Sequence, residues 1–404
     1  MVLDDIGARG RVERVALGET INIAAHLQTL AEPDTVVMSA ATHGLVAGYV
    51  VCHRVGRQTL KGLTTPTPVY RVVEASQTTS RLDLAVAQGL TPLVGRDGEL
   101  GLLRQQAQQA KAGQGHVVMI SGEPGIGKSR LALTLKGHMR QEGSVCLEFR
   151  CSPYHQATAL YPIVEHLQRL VGFHREDDAR TKLEKLQHLL AGYRFPQADT
   201  IPLLATFFSL PPLEGVPPLT LSPQRQKQRL TEALIAWLVE EADRTPVYLL
   251  WEDLQWADPS TLEVLTLYLD QVPMMRTLAV LTYRPEFTPP WGNRSYLSQM
   301  TLSRLERPHV ETMVKNVSGD QVLPPEVLRQ IVGKADGVPL FVEELTKTVV
   351  ESGCVQRVWR VAEPPLSSGI GDSCDVARFA HGRAGSLGGS QRGRPTRRDY
   401  RAGI

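Results

Sequence analysis

Gly122-Glu123-Pro124-Gly125-Ile126-Gly127-Lys128-Ser129 fits the pattern G-x-x-x-x-G-K-[ST] at every fixed position. The three glycines let the backbone turn tightly enough for successive N–H groups to converge on phosphate oxygens. Lys128 then reaches the β and γ phosphates, and the Ser129 hydroxyl reaches a Mg2+ ion. His116-Val117-Val118-Met119-Ile120-Ser121 ahead of the loop is a short apolar run of buried-strand type. Ser129 to Lys136, with Arg130 in its first turn, reads as a helix whose N-terminus faces the phosphates. Strand, glycine loop and helix in this order predict an α/β fold with a central parallel sheet, and ATP with Mg2+ as the ligand pair.

Such a loop requires a second element that holds the metal and orients water. Val247-Tyr248-Leu249-Leu250-Trp251-Glu252-Asp253 supplies it: apolar residues ending in two acidic ones describe a buried parallel strand charged at its carboxyl end, where open α/β sheets place their ligands. One of Glu252 and Asp253 is expected to bind Mg2+ through water and the other to polarise the attacking water. The order Glu-Asp, where the commoner pattern has Asp first, leaves the assignment open. Downstream, Asp258 suits an N-cap and Pro259 the first helical position, which predicts a helix to about Leu269. A second buried-strand run, Leu278 to Tyr283, ends at Arg284, which could sense the γ phosphate from the strand beside the acidic one.

Leu93-Val94-Gly95-Arg96, the GEPGIGKS loop, LLWEDLQWADPSTLE, TYRPEF and Gly337-Val338-Pro339-Leu340-Phe341-Val342-Glu343-Glu344-Leu345 together resemble the STAND class of AAA-like signal-transduction ATPases. The resemblance implies that Pro339 lies in a helical lid approaching the adenine and that Val94, Gly95 and Arg96 lie near the base. Taken on its residues alone, Pro339 is a helix-start proline.

The first 75 residues differ in character. Ala16-Leu17-Gly18-Glu19-Thr20-Ile21-Asn22-Ile23-Ala24-Ala25-His26-Leu27-Gln28, then Ala31 to Ser39, Leu60-Lys61-Gly62 and Val69-Tyr70-Arg71-Val72, resemble the C-terminal third of a class III adenylate/guanylate cyclase domain, of α+β, ferredoxin-like type. In that family the helix carries Asn and, four residues on, Arg, which steady ribose and transition-state phosphate. Here Asn22 is present, His26 stands in the Arg position and Val15 in the base-recognising one. The chain begins too late to include the family's two metal-binding aspartates, and Asp4 and Asp5 align elsewhere and take no role. Without two-metal activation of the ribose hydroxyl, no cyclic nucleotide is expected from this chain.

Length and composition fit two soluble modules: 404 residues, 42% hydrophobic and 6% aromatic. No run approaches the roughly 20 apolar residues of a membrane helix, and the N-terminus has no signal pattern, so a cytoplasmic protein is expected. Cys52, Cys146, Cys151, Cys354 and Cys374 show no C-x-x-C spacing, so reduced thiols are the default. Residues 1–75 are read as the partial cyclase domain, 76–91 as a linker, 92–295 as the ATPase core, 296–363 as the helical lid and 364–404 as a disordered Gly/Arg-rich tail. Within the core, Ser144 to Arg150 predicts a strand, and a helical insert follows over Leu160 to Val171, Lys182 to Leu190, Ile201 to Leu210 and Gln224 to Glu241, broken by Pro211, Pro212, Pro217 and Pro218. Tyr154, Tyr161, Phe173 and Tyr193 are expected to pack these helices.

From Leu366 the apolar periodicity vanishes and seven Arg accompany three Asp without a lysine. Such a segment buries too little apolar surface to order itself. The family pattern would continue into ordinary helices here, which suggests a shifted reading frame. The net charge of +2 leaves the body slightly acidic once the tail is set aside, so no phosphate-tracking face, and no nucleic acid partner, is expected. The expected function is an ATP-binding regulatory switch with slow hydrolysis, joined to a degenerate cyclase fragment. A protein partner or self-association would act through the ATPase module. The alternatives are an ATP-binding remnant without turnover and a nucleotidyl cyclase needing a missing N-terminal half.

Overall fold

In the computed structural model, residues 2–6, 13–17, 19–59, 65–76, 81–174, 176–194, 196–211, 221–319 and 321–352 are described. The tail from Gly353, with Cys354 and Cys374, lies outside these residues, as do Gly18, Leu60-Lys61-Gly62 and Pro212, Pro217 and Pro218. The chain divides between Leu90 and Thr91 into two compact units.

The first unit opens with an antiparallel pair, β1 (Val2–Ile6) and β2 (Glu13–Leu17), followed by α1 (Glu19–Leu30). Then come β3 (Val37–Ser39), α2 (Ala40–Val46), β4 (Val50–Gln58) and β5 (Thr67–Ala75). They build an antiparallel sheet of order β3-β5-β4. Among the described residues its core is Leu27 of α1 and Val69 of β5, with Ile23 and Val37 half-buried against them. Val51, Val55 and Val73 stay exposed, so this sheet covers only part of its apolar surface. A helix, α3 (Arg81–Gln88), occupies part of the 76–91 stretch read from sequence as a linker. Its Leu-x-Leu-x-Val spacing is too short for periodicity to reveal, which is why the stretch passed as irregular.

The second unit begins with α4 (Asp97–Lys111), β6 (His116–Ser121), α5 (Lys128–Gln141) and β7 (Val145–Arg150). The helical insert is α6 (Tyr161–Val171), α7 (Ala179–Leu190), α8 (Gln197–Phe207) and α9 (Pro223–Arg244). Next are β8 (Val247–Glu252), α10 (Pro259–Leu269), β9 (Thr277–Tyr283) and β10 (Leu297–Thr301), then α11 (Arg307–Ser318), α12 (Pro325–Ala335) and α13 (Pro339–Glu351). The five strands form one parallel sheet of order β10-β6-β9-β8-β7. This is the α/β, P-loop NTPase type of fold that the glycine loop implied.

The two-residue period of a strand explains why both faces are covered. Val117, Met119, Leu147, Phe149, Leu249, Trp251, Ala279 and Leu281 share one core with the insert and α10. Val118, Ile120, Tyr248, Leu250, Leu278 and Val280 share the other with α4 and α5. Every residue of β8 and β9 is buried, each large side chain contributing about 1.5–3 kcal/mol of burial. Tyr193, expected as a packing residue, does pack against this core, as does Phe173; Tyr161 stacks on His155, whereas Tyr154 is exposed.

Strand β10 corrects the sequence reading, which took 296–363 as wholly helical. Leu297-Ser298-Gln299-Met300-Thr301 alternates weakly and lies at the sheet edge with only Met300 buried, so it carries little strand signal. The C-terminal helices therefore start at Arg307. These three helices enclose their own core around Leu305, Val310, Ile331 and Val342.

Candidate functional site

The glycine loop joins β6 to α5, whose N-cap is Gly127 at φ +103°. Gly125 is at φ +78°, and a Cβ there would lie 2.9 Å from the Leu340 Cβ. Glycine is thus demanded twice over at Gly125, by conformation and by the close approach of Leu340, but at Gly127 by conformation alone, since nothing lies within 4 Å of an added Cβ. Gly122 is packed against Ile126, and Glu123 and Pro124 are exposed. Lys128 is buried, and its Nζ donates to the carbonyls of Gly122 at 2.7 Å and Glu123 at 3.1 Å. Burial lowers its pKa, opposed by Asp253 and Glu286 and reinforced by Arg284. Lys128, Asp253 and Arg284 therefore form one electrostatic neighbourhood.

Strand β8 delivers the two acidic groups to different surroundings. Glu252, its last residue, is buried and on the α5 side by parity with Tyr248 and Leu250. It is paired with Arg150 of β7, Nε to Oε2 at 2.9 Å, and Ser129 at the start of α5 favours its charged form. Burial raises its pKa, and Arg150 and Ser129 oppose the rise. Asp253 leaves the strand at φ +58°, a left-handed conformation that turns the chain away from the sheet. Its N–H donates to Thr282 Oγ1 at 3.1 Å, and its Oδ1 accepts from Gln255 Nε2 at 3.0 Å. Gln255 Oε1 in turn accepts from the Arg284 N–H at 3.2 Å, tying the acidic turn to the end of β9. The Arg284 guanidinium lies over the Trp256 ring, 5.4 Å from its centre.

Asp258 caps α10 by accepting from the N–H groups of Ser260 and Thr261 at 3.0 Å. It also accepts from the Leu160 N–H at 3.1 Å, so one buried carboxylate fastens the helical insert to the loop after the acidic strand.

Upstream, Val94 is half-buried and Gly95, at φ +67°, abuts His309 of α11. Arg96 is 5% exposed; it donates to the carbonyls of Ile126 at 3.3 Å and Ser303 at 2.5 Å and pairs with Glu99 at 2.9 Å. Its guanidinium thus braces the glycine loop against the segment after β10. Arg130 donates to the Thr91 carbonyl, and burial lowers its pKa against the pull of Glu343 on α13.

Pro339 is the first residue of α13, as its residue type alone predicted, and the next residue reaches the loop: the Leu340 N–H donates to the Gly125 carbonyl at 3.2 Å. Arg304 adds a bridge, donating to Glu123 at 3.0 Å and also to Asp336 at the end of α12. The Leu305 N–H donates to the Gly337 carbonyl at 2.8 Å. Arg150, Arg304 and Gln255 are the members that sequence reasoning missed; strand parity flags Arg150, but Arg304 and Gln255 carry no motif.

Asn22 and His26 lie one turn apart on α1 of the first unit, Asn22 exposed and His26 half-buried. Among the described residues no cluster of three or more His, Cys, Asp or Glu could hold a metal. Among them, too, no helix is long and apolar enough to cross a membrane.

Residues 92–281 match the family model described as AAA ATPase domain. An uncharacterized protein of Rhizobium meliloti (strain 1021) is 26% identical over 341 residues, covering 83% of this chain and 32% of that protein. The chain therefore spans about a third of that relative's length. Among solved structures, the Aeropyrum pernix Orc1 protein in complex with DNA is 14% identical, with a TM-score of 0.41 over 66% of this chain and 62% of that one. The adenylyl cyclase CyaB from P. aeruginosa is 24% identical, with a TM-score of 0.18 over 19% of this chain and 40% of that one. An AAA-type ATPase domain suggests a nucleotide-binding ATPase.

Proposed function

We propose that the second unit is an ATP-binding and ATP-hydrolysing module of the STAND signalling type, in which the lid formed by α11, α12 and α13 reports the nucleotide state. The observation that carries this reading is the contact of lid and glycine loop at one point, Leu340 on Gly125, reinforced by Arg304 between Glu123 and Asp336. A ligand that moves the loop acts on the lid through the same atoms.

The roles follow from the surroundings of each group. Gly122 to Ser129 offer backbone N–H groups to the phosphates, and Lys128 exchanges its two carbonyl partners for phosphate oxygens. Ser129 at the start of α5 and Glu252 at the end of β8 present a hydroxyl and a carboxylate, hard oxygen donors of the kind Mg2+ takes. Bound there, Mg2+ would neutralise charge developing on the phosphoryl oxygens. Asp253, half-buried and held by Gln255, suits the second role: it orients the attacking water and takes its proton as the water oxygen bonds the γ phosphorus and the bond to the β oxygen breaks. Arg284 answers the charge on the γ phosphate. Val94, Gly95, Arg96, Arg130 and Pro339 frame the nucleotide.

The first unit is proposed as a catalytically degenerate cyclase fragment, supported by His26 in the position where that family carries Arg. The test of the whole reading is ATP binding and hydrolysis with Mg2+ by the parent and by Lys128→Ala and Asp253→Ala. Binding and turnover in the parent, with turnover lost in both variants, support it. Tight binding without turnover in the parent favours a nucleotide-holding remnant, and absence of binding removes it.

A further inference from the structure

Between the phosphate loop and the middle of α5 runs a row of charges that the motif vocabulary does not include. Strand β7 alternates: Leu147 and Phe149 enter the core on the insert side, so Glu148 and Arg150 face α5. Parallel pairing sets Arg150 directly beside Glu252 of β8. Arg150 Nε donates to Glu252 Oε2 at 2.9 Å, and its guanidinium lies 4.0 Å from Glu148, which is paired in turn with Lys136. Lys136 stands seven residues after Ser129 on α5, two helical turns along the same face. Ser129 closes the circuit from the start of α5, where it favours the charged form of Glu252. Charges along it alternate in sign, and both ends are anchored on the helix that carries the phosphate loop.

We propose that Arg150 is a positioning residue: it holds one carboxylate oxygen of Glu252 and so aims the other at Ser129 and the cation between them. The inference rests on the ATPase reading above. A buried carboxylate with one oxygen fixed from the neighbouring strand stays turned toward the hydroxyl, whereas without Arg150 only Ser129 remains, among the described residues, to orient it. Outer partners of metal-binding groups act in this way, by fixing the orientation of the group that touches the metal. The flanking Glu148–Lys136 pair keeps Arg150 in place on β7.

The experiment is titration of a fluorescent ATP analogue into the full chain, once with excess EDTA and once across a Mg2+ series, for the parent, Arg150→Gln, Arg150→Lys and Glu148→Gln. In Arg150→Gln the Mg2+ concentration at half effect should rise about 10–100-fold while affinity in EDTA stays within about two-fold. Arg150→Lys, which keeps the charge but loses the planar donor, should fall between, and Glu148→Gln should show the smallest rise. Unchanged Mg2+ dependence in a folded Arg150→Gln overturns the inference, as does an equal loss with and without Mg2+. If Arg150→Gln does not fold, Arg150→Lys and Glu148→Gln decide by the same split. Failure of the parent to bind the analogue would instead sink the ATPase reading itself.

Discussion

The two units show how differently a sheet can be stabilised. In the second, five parallel strands are covered on both faces, and β8 and β9 are buried throughout, so the polar groups at their ends are held by rigid backbone. In the first, a three-stranded antiparallel sheet leans on a core of Leu27 and Val69 and leaves Val51, Val55 and Val73 exposed. The lesson is that a site of interlocked charges needs the first arrangement. Glu252, Arg150, Ser129 and Lys128 keep their geometry because β7, β8 and α5 cannot shift independently. Asn22 and His26 stand on a helix with far less behind it.

If that contrast is right, the largest effect comes from Lys128→Ala, which should lower ATP hydrolysis about 100-fold or more by removing preorganised positive charge, measured by phosphate release, with the melting of the first unit unmoved. Core truncations sharpen the contrast next. Leu131→Ala, at a fully buried position of the larger core, should cost nearer 5 kcal/mol and Leu27→Ala nearer 2 kcal/mol of the about 2–5 kcal/mol span for such changes. Only the former should disturb nucleotide binding, as urea titration and analogue binding on the same samples would show; equal losses of binding would break the comparison.

Acid should act on the second unit through His166. Its Nδ1–H donates to the Glu148 carbonyl at 2.9 Å, its Nε2 finds no partner among the described residues, and burial lowers its pKa from the ordinary 6.5 to about 4. A histidine kept neutral in the fold but free to protonate when unfolded contributes fully above about pH 6.5, and that contribution drains away as pH falls toward 4. The parent should therefore lose up to about 3 kcal/mol over this window that His166→Phe does not lose. Parallel pH–stability profiles of the two proteins would refute it. The smallest effect is expected of Arg304→Ala: its side chain is half-exposed, so the melting temperature should hold, but release of bound analogue should quicken several-fold in stopped-flow measurements. Unchanged release would remove Arg304 from the link between loop and lid.

Much of this was legible in the residues. Asp258 and Pro259 mark the start of α10 because capping is local chemistry, and the helix ends at Leu269 as the pattern predicted. The buried strands read as apolar runs because a parallel sheet covered on both faces requires them. The weak edge strand β10 and the short helix α3 escaped, since half-exposed elements of a few residues carry little periodicity. The division of labour between Glu252 and Asp253 also stayed open, because it depends on which side of the sheet each carboxylate occupies and on a left-handed turn at Asp253. Cross-strand neighbours such as Arg150 and Glu252, and the meeting of Gly125 with Leu340, join residues far apart in the chain, and no local spacing announces them.

On this reading the second unit binds ATP and turns it over through Lys128 and Asp253. This is tested most directly by steady-state phosphate release with Mg2+ from the parent, Lys128→Ala and Asp253→Ala, each also assayed for binding of the fluorescent analogue. The account predicts turnover in the parent, loss of both binding and turnover in Lys128→Ala, and retained binding without turnover in Asp253→Ala. A parent that binds without hydrolysing, or an Asp253→Ala variant as active as the parent, would contradict it.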